Sequence, residues 1–173
     1  MPRQPLIGVM GSARATDEEC ALAEEFGRLV ANEGWILLCG GRPMGIMDAA
    51  ARGAHNAGGL VVGVLPGESD APSEASVYLD IAIVTGMGDV PRNAINALSS
   101  KVMVSCRGGA STISEICLAL TSGRSVILLG WDKPLHLLPQ KYSDAGKLRV
   151  AWTPTEARDL VVEILKIMNQ ADS

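Results

Sequence analysis

Short apolar runs rich in β-branched residues alternate with longer segments of helical period along most of this chain. A parallel sheet covered by helices is the architecture that uses this order. The runs are Leu6–Met10, Trp35–Cys39, Leu60–Leu65, Ile81–Val84, Lys101–Ser105 and Ser125–Leu129, each read as a strand. Between them the spacing predicts helices over Asp17–Glu33, Ile46–Ala57, Pro91–Ser99 and Thr112–Thr121, with a last helix opening at Thr153 and carrying Pro154 at its first position. Three candidate capping boxes mark helix starts: Thr16 with Glu19, Thr112 with Glu115, and Thr153 with Glu156. A polar, proline-bearing segment runs from Pro66 to Tyr78, and Gly130–Arg149 has no legible pattern. No linker or repeat breaks the alternation, so the expectation is one domain over 1–173, ordered from Leu6 to Met168 with a frayed tail.

Composition narrows the function. The chain has 173 residues, 47% hydrophobic and 20% charged, which excludes a disordered chain. Its net charge of −4 argues against a nucleic-acid binder, and three Trp, two Tyr and one Phe leave few rings for stacking on single strands. The first apolar stretch is too short for a secretory leader or a membrane span, so the expected location is cytoplasmic, with no membrane partner. The four cysteines form no CxxC pair and no metal-like spacing with His55 and His136, and are read as reduced, partly buried thiols. No metal ligand set and no nucleophilic triad stands out.

In an open parallel sheet, ligands bind beyond the carboxyl ends of the strands. Four of the turns there carry glycine: Gly11-Ser12, Gly40-Gly41-Arg42-Pro43-Met44-Gly45, Thr85-Gly86-Met87-Gly88, and Arg107-Gly108-Gly109-Ala110-Ser111-Thr112. Such turns aim backbone N–H groups and a helix N-terminus at an anion, although a tight turn needs glycine in any case. Of ten arginines, Arg14, Arg42, Arg92 and Arg107 fall in or just after these turns, while any one of them alone could be a solvated surface residue. An acidic chain that gathers positive charge on this edge points to a small polyanionic ligand. Ser12, Ser111 and Thr112 add hydroxyls.

Glu115 has two readings. It completes the Thr112 capping box, or it projects into the cleft opposite Arg92 as a general base or a stabiliser of a cationic sugar. Asp48 and Asn96 lie one turn into their helices, where solvated positions are the commoner outcome. Cys39 and Cys106 stand at strand ends beside turns.

The segment GGRPMGIMDAAARGA resembles the first signature of the lysine decarboxylase-like superfamily, which includes the LONELY GUY cytokinin-activating phosphoribohydrolases. RGGASTISE (Arg107–Glu115) is similar to that superfamily's PGGxGTxxE motif, with Gly108, Gly109, Thr112 and Glu115 matching, Arg107 in place of proline and Ser111 in place of the second-half glycine. Arg92 matches the arginine that partners the glutamate in the hydrolases. The segments IGVMG, GWILLCGGRPMGIMDAA, AGGLVVGVLPG, IVTGMG and RNAINALSSKVMV together resemble the molybdenum cofactor carrier proteins more closely still. This resemblance implies a Rossmann-like, doubly wound α/β fold in a homo-oligomer, a tetramer or else a dimer. It also implies that molybdenum cofactor (molybdopterin) is bound, stored and delivered to molybdoenzyme apoproteins without catalysis. The implied binding residues are Gly11, Ser12, Gly40, Gly41, Arg42, Gly45, Thr85, Gly86, Arg92, Asn93, Arg107, Gly108, Gly109, Ser111, Thr112 and Glu115. In the alternative, a nucleoside 5′-monophosphate phosphoribohydrolase, Arg92 and Glu115 are catalytic.

Overall fold

A computed structural model describes residues 3–71, 73–131 and 138–171. Seven strands form one parallel sheet: β1 (Leu6–Met10), β2 (Ile36–Cys39), β3 (Val61–Leu65), β4 (Ile81–Val84), β5 (Val102–Cys106), β6 (Ser125–Leu129) and β7 (Leu148–Ala151). Their order is β4-β3-β2-β1-β5-β6-β7. The chain therefore starts in the middle, steps outward to one edge, and returns to the other side of β1. That reversal puts a topological switch point between β1 and β5, where the following turns diverge and leave a crevice.

Helices α1 (Asp17–Asn32), α2 (Gly45–Asn56) and α6 (Pro154–Ala171) cover one face, and α3 (Asp89–Ser99) and α4 (Ala110–Thr121) the other. The helix α1 begins as its sequence predicts: the Thr16 hydroxyl accepts from Glu19 N, and Thr16 N donates to Glu19 Oε2 at 2.9 Å. Its buried residues, Ala23, Phe26, Gly27 and Val30, follow helical spacing. The helices α1 and α2 cross so closely that a Cβ on Gly27 would overlap the Ala50 carbonyl, and one on Gly53 the Glu24 carbonyl. Most of the core lies on this face, around Phe26, Ile7, Leu37, Ile46 and Ile127. Each such side chain contributes about 1.5–3 kcal/mol on burial. A smaller cluster of Leu38, Val62 and Val64 packs with Ile95 of α3.

Three expectations need correction. The region 130–149 contains a short helix, α5 (Lys141–Asp144), and the first half of β7, an added strand paired parallel to β6. Both are too short for periodicity to show. The helix α6 continues to Ala171, past Met168. Its start does carry a capping box, with Glu156 N donating to Thr153 Oγ1 and Glu156 Oε2 accepting from Trp152 N and Thr153 N. The Thr112 box does not form. The helix α4 starts two residues earlier, at Ala110, with Gly109 as its cap, so Thr112 and Glu115 are both interior helical residues and both buried.

Candidate functional site

A cleft of about 600 Å³ opens at the switch point. Its walls come from the turn after β1 (Gly11, Ser12, Ala13), from Arg42 and Met47 around the start of α2, from α3 (Asp89, Val90, Arg92, Asn93), and from the start of α4 (Gly109, Ala110, Ser111, Thr112, Ser114, Glu115). The β1 and β5 turns are tied together by Ser12 N donating to the Arg107 carbonyl at 2.9 Å. The first turn of α4, from Gly109 to Thr112, borders this space, and a helix N-terminus favours negative charge.

The helix α3 supplies the unusual feature. At the spacing where a helix commonly buries apolar residues, it buries Arg92, Asn93 and Asn96. The Arg92 side chain is only 5% exposed. Its Nη1 donates to the Gly40 carbonyl at 3.2 Å and its Nη2 to Asp89 Oδ1 at 2.9 Å. Gly40 is required by this approach, because a Cβ there would overlap Arg92 Nη1. Asn93 Nδ2 donates to Ser111 Oγ at 2.9 Å and to Ser114 Oγ at 3.2 Å. Arg92 Nε, Asn93 Oδ1 and Asn96 Oδ1 are buried without a hydrogen-bond partner among the described residues. A buried polar atom left unpaired carries a desolvation cost, so such a cluster beside a cleft marks a place where a ligand can complete the bonding.

Glu115 lines the same cleft and accepts a 3.0 Å hydrogen bond from Asn96 Nδ2. Burial pushes its carboxyl above the usual carboxylate range, against the opposing effects of the Asn96 bond and the Arg92 charge. Asn96 is fully buried, not solvated as its place in the helix predicts.

The cleft gathers nine of the residues expected from sequence: Gly11, Ser12, Arg42, Arg92, Asn93, Gly109, Ser111, Thr112 and Glu115. The others lie behind or beside it. Gly40 reaches the site through its carbonyl. Gly41 packs against Leu65, Gly45 against the Ser12–Ala13 backbone, and Gly108 against Thr112. Thr85 donates to the Leu65 carbonyl at 2.7 Å, and Gly86 N donates to the Gly67 carbonyl. Arg107 is exposed and reaches Glu19 at 3.4 Å, and Arg14 is exposed at the turn after β1. Asp48 is half-buried on α2. Burial pushes the Cys39 thiol up to about 11 and the Cys106 thiol up to about 12, and neither lines the cleft. All four cysteines are free. His136 lies outside the described residues. Asp89 and Ser114 are the polar members that sequence reasoning missed, and Ala13, Met47, Val90 and Ala110 the apolar ones. The available signal was the three-residue spacing of Asp89 from Arg92 across the first turn of α3.

This fold and cleft define an α/β protein of the Rossmann-like kind with a polar crevice, lined by two arginines and two acidic residues, at its switch point. The family model of the SLOG cluster4 family matches residues 4–158, and the chain belongs to that family. The solved structure of the molybdenum cofactor carrier protein from Chlamydomonas reinhardtii is 42% identical, with a TM-score of 0.84 over 95% of this chain and 99% of that one. The molybdenum cofactor binding protein from Rippkaea orientalis is 40% identical, with a TM-score of 0.84 over 94% and 98% of the two chains. A cytokinin riboside 5′-monophosphate phosphoribohydrolase from Mycobacterium tuberculosis is 35% identical over 134 residues, covering 76% of this chain and 69% of the relative.

Proposed function

We propose that this protein binds, stores and delivers molybdenum cofactor, holding its anionic groups in the switch-point cleft without turning it over. The observation that carries the reading is the buried polar face of α3, where Arg92 Nε and Asn93 Oδ1 stand unpaired among the described residues, beside a cleft of about 600 Å³. The 40% and 42% identity to proteins that bind or carry this cofactor supports the same ligand. In this reading the terminal phosphate lies between Arg42, Arg92 and the first N–H groups of α4, through charge-assisted hydrogen bonds. The hydrogen-bonding edges of the pterin meet Asn93, Ser111 and Ser114, and Met47 and Val90 give its ring an apolar surface. Cys39 and Cys106, buried and protonated at neutral pH, have no part in holding the metal.

The same reading has the protein act in the cytoplasm as a homo-oligomer, a tetramer or a dimer, and pass its cargo to molybdoenzyme apoproteins. No helix among the described residues is long and apolar enough to cross a membrane. Self-association is supported by the open edge of the sheet. Ile81, Ile83 and Val84 of β4 are each more than 40% exposed, and Val90 and Leu98 of α3 are exposed as well.

Anaerobic incubation of the purified protein with molybdenum cofactor, followed by desalting, tests the proposal. Stoichiometric co-retention of molybdenum and pterin, with transfer to an apo-molybdoenzyme, is the expected result; retention of neither refutes it. A second reading, N-glycosidic cleavage of a nucleoside 5′-monophosphate, has one observation in its favour: Arg92 and the buried carboxyl of Glu115 face the same cleft. Release of free base from such nucleotides, lost in Glu115→Gln, would establish it.

A further inference from the structure

Asp89 occupies the first position of α3, directly after Gly88, and its carboxylate bridges two arginines from different parts of the chain. Arg42 Nη2 donates to Oδ1 at 3.1 Å and to Oδ2 at 3.2 Å, while Arg92 Nη2 donates to Oδ1 at 2.9 Å. All three side chains line the cleft. The arginines differ in kind. Arg92 is enclosed and anchored to the Gly40 carbonyl, with its Nε buried and unpartnered among the described residues; Arg42 is 41% exposed. The Asp89 side chain is 55% exposed, so its carboxylate can turn to water while remaining at the favoured end of the helix dipole.

We infer that Asp89 is a built-in counter-anion, which occupies the Arg42–Arg92 pair until the anionic group of a ligand displaces it. This rests on the reading of the cleft given under the proposed function. An incoming anion exchanges one set of charge-assisted bonds for another, so only the excess of its charge and hydrogen bonds over those of one carboxylate adds to affinity. A phosphate monoester dianion gains from the exchange, and a monoanion gains little. Asp89 thereby sets the least charge that a ligand must bring, and it keeps Arg92 paired when the cleft is empty.

Asp89→Asn tests this, because an amide oxygen at the Oδ1 position still accepts from both arginines, while the charge and the Oδ2 acceptor toward Arg42 are lost. Binding of molybdenum cofactor under anaerobic conditions, and separately of adenosine 5′-monophosphate as a simple phosphate monoester, is measured by calorimetry for wild type, Asp89→Asn and Asp89→Ala. Both variants are expected to bind about tenfold more tightly, with the gain shrinking at high salt. The gain should shrink when Arg42→Ala is added, since only Arg92 is then left for Asp89 to occupy. Equal or weaker binding by both variants overturns the inference and makes Asp89 a residue that only orients the arginines. If wild type binds no molybdenum cofactor while the variants bind the monophosphate more tightly than wild type, the inference stands and the proposed cargo falls. If no form binds either ligand, the inference falls too, since the released arginines then attract no anion.

Discussion

Asn96 Nδ2 donates to Glu115 Oε1 across 3.0 Å, joining α3 to α4 beneath the cleft. Both residues are buried, and Asn96 Oδ1 has no partner among the described residues. The pair holds a carboxyl in place where water is largely excluded, and burial raises its proton affinity above that of the unfolded chain.

A stability profile against pH follows from that shift. The folded state binds the Glu115 proton more tightly, so its contribution is fully present below the usual carboxylate range and declines as pH rises through the raised value. Glu115→Gln keeps the acceptor for Asn96 and removes the titration. The variant should match wild type in acid and have the higher Tm above that window. Thermal melts across the range check it; a variant less stable than wild type at neutral pH would contradict the desolvation argument.

Arg92→Lys should weaken anionic ligands by about tenfold to a hundredfold. A lysine ammonium cannot reach the Gly40 carbonyl and Asp89 together in the planar geometry that the guanidinium uses. Calorimetric titration with molybdenum cofactor reads the loss, and unchanged affinity would move the site away from α3.

Gly40→Ala should act on binding through Arg92. The added methyl meets Nη1 of an enclosed side chain, so the arginine shifts and ligand affinity falls, with a stability cost of about 1–3 kcal/mol for overpacking. Gly40→Ala/Arg92→Lys should recover part of the stability but not the affinity, since Met47 Sδ still crowds the added methyl. Melting curves beside binding curves separate the two effects.

Ile83→Asp places a charge on the open sheet edge, where the native side chain is 44% exposed. Light scattering should show a shift to smaller assemblies, with the monomer's melting behaviour nearly unchanged, because a surface position away from the core alters stability by only about 0.5 kcal/mol. An oligomer that survives this substitution uses a different surface.

The alternation of short and long apolar segments carries the architecture, and six of the seven strands are legible because each is a separate β-branched run between turn residues. The seventh is four residues of mixed character at an edge, where burial does not impose a pattern. The glycine turns with Arg42 and Arg92 mark, from sequence alone, the edge of the sheet where the cleft opens. What sequence hides is the pairing across elements. Thr112 and Glu115 have the spacing of a capping box, yet Gly109 caps the helix and both side chains turn inward. Asn96 reads as a surface residue until α4 brings Glu115 against it, and Asp89 is an ordinary first-turn acid until the turn after β2 delivers Arg42.

The contact of Arg92 with the carbonyl of Gly40 spans 52 positions of sequence and makes the two residues one inherited unit. Any side chain at position 40 would press on Arg92 and on Met47 Sδ together, so α3 and α2 would feel the change at once. The shape of the cleft thus depends on a residue that has no side chain to offer it.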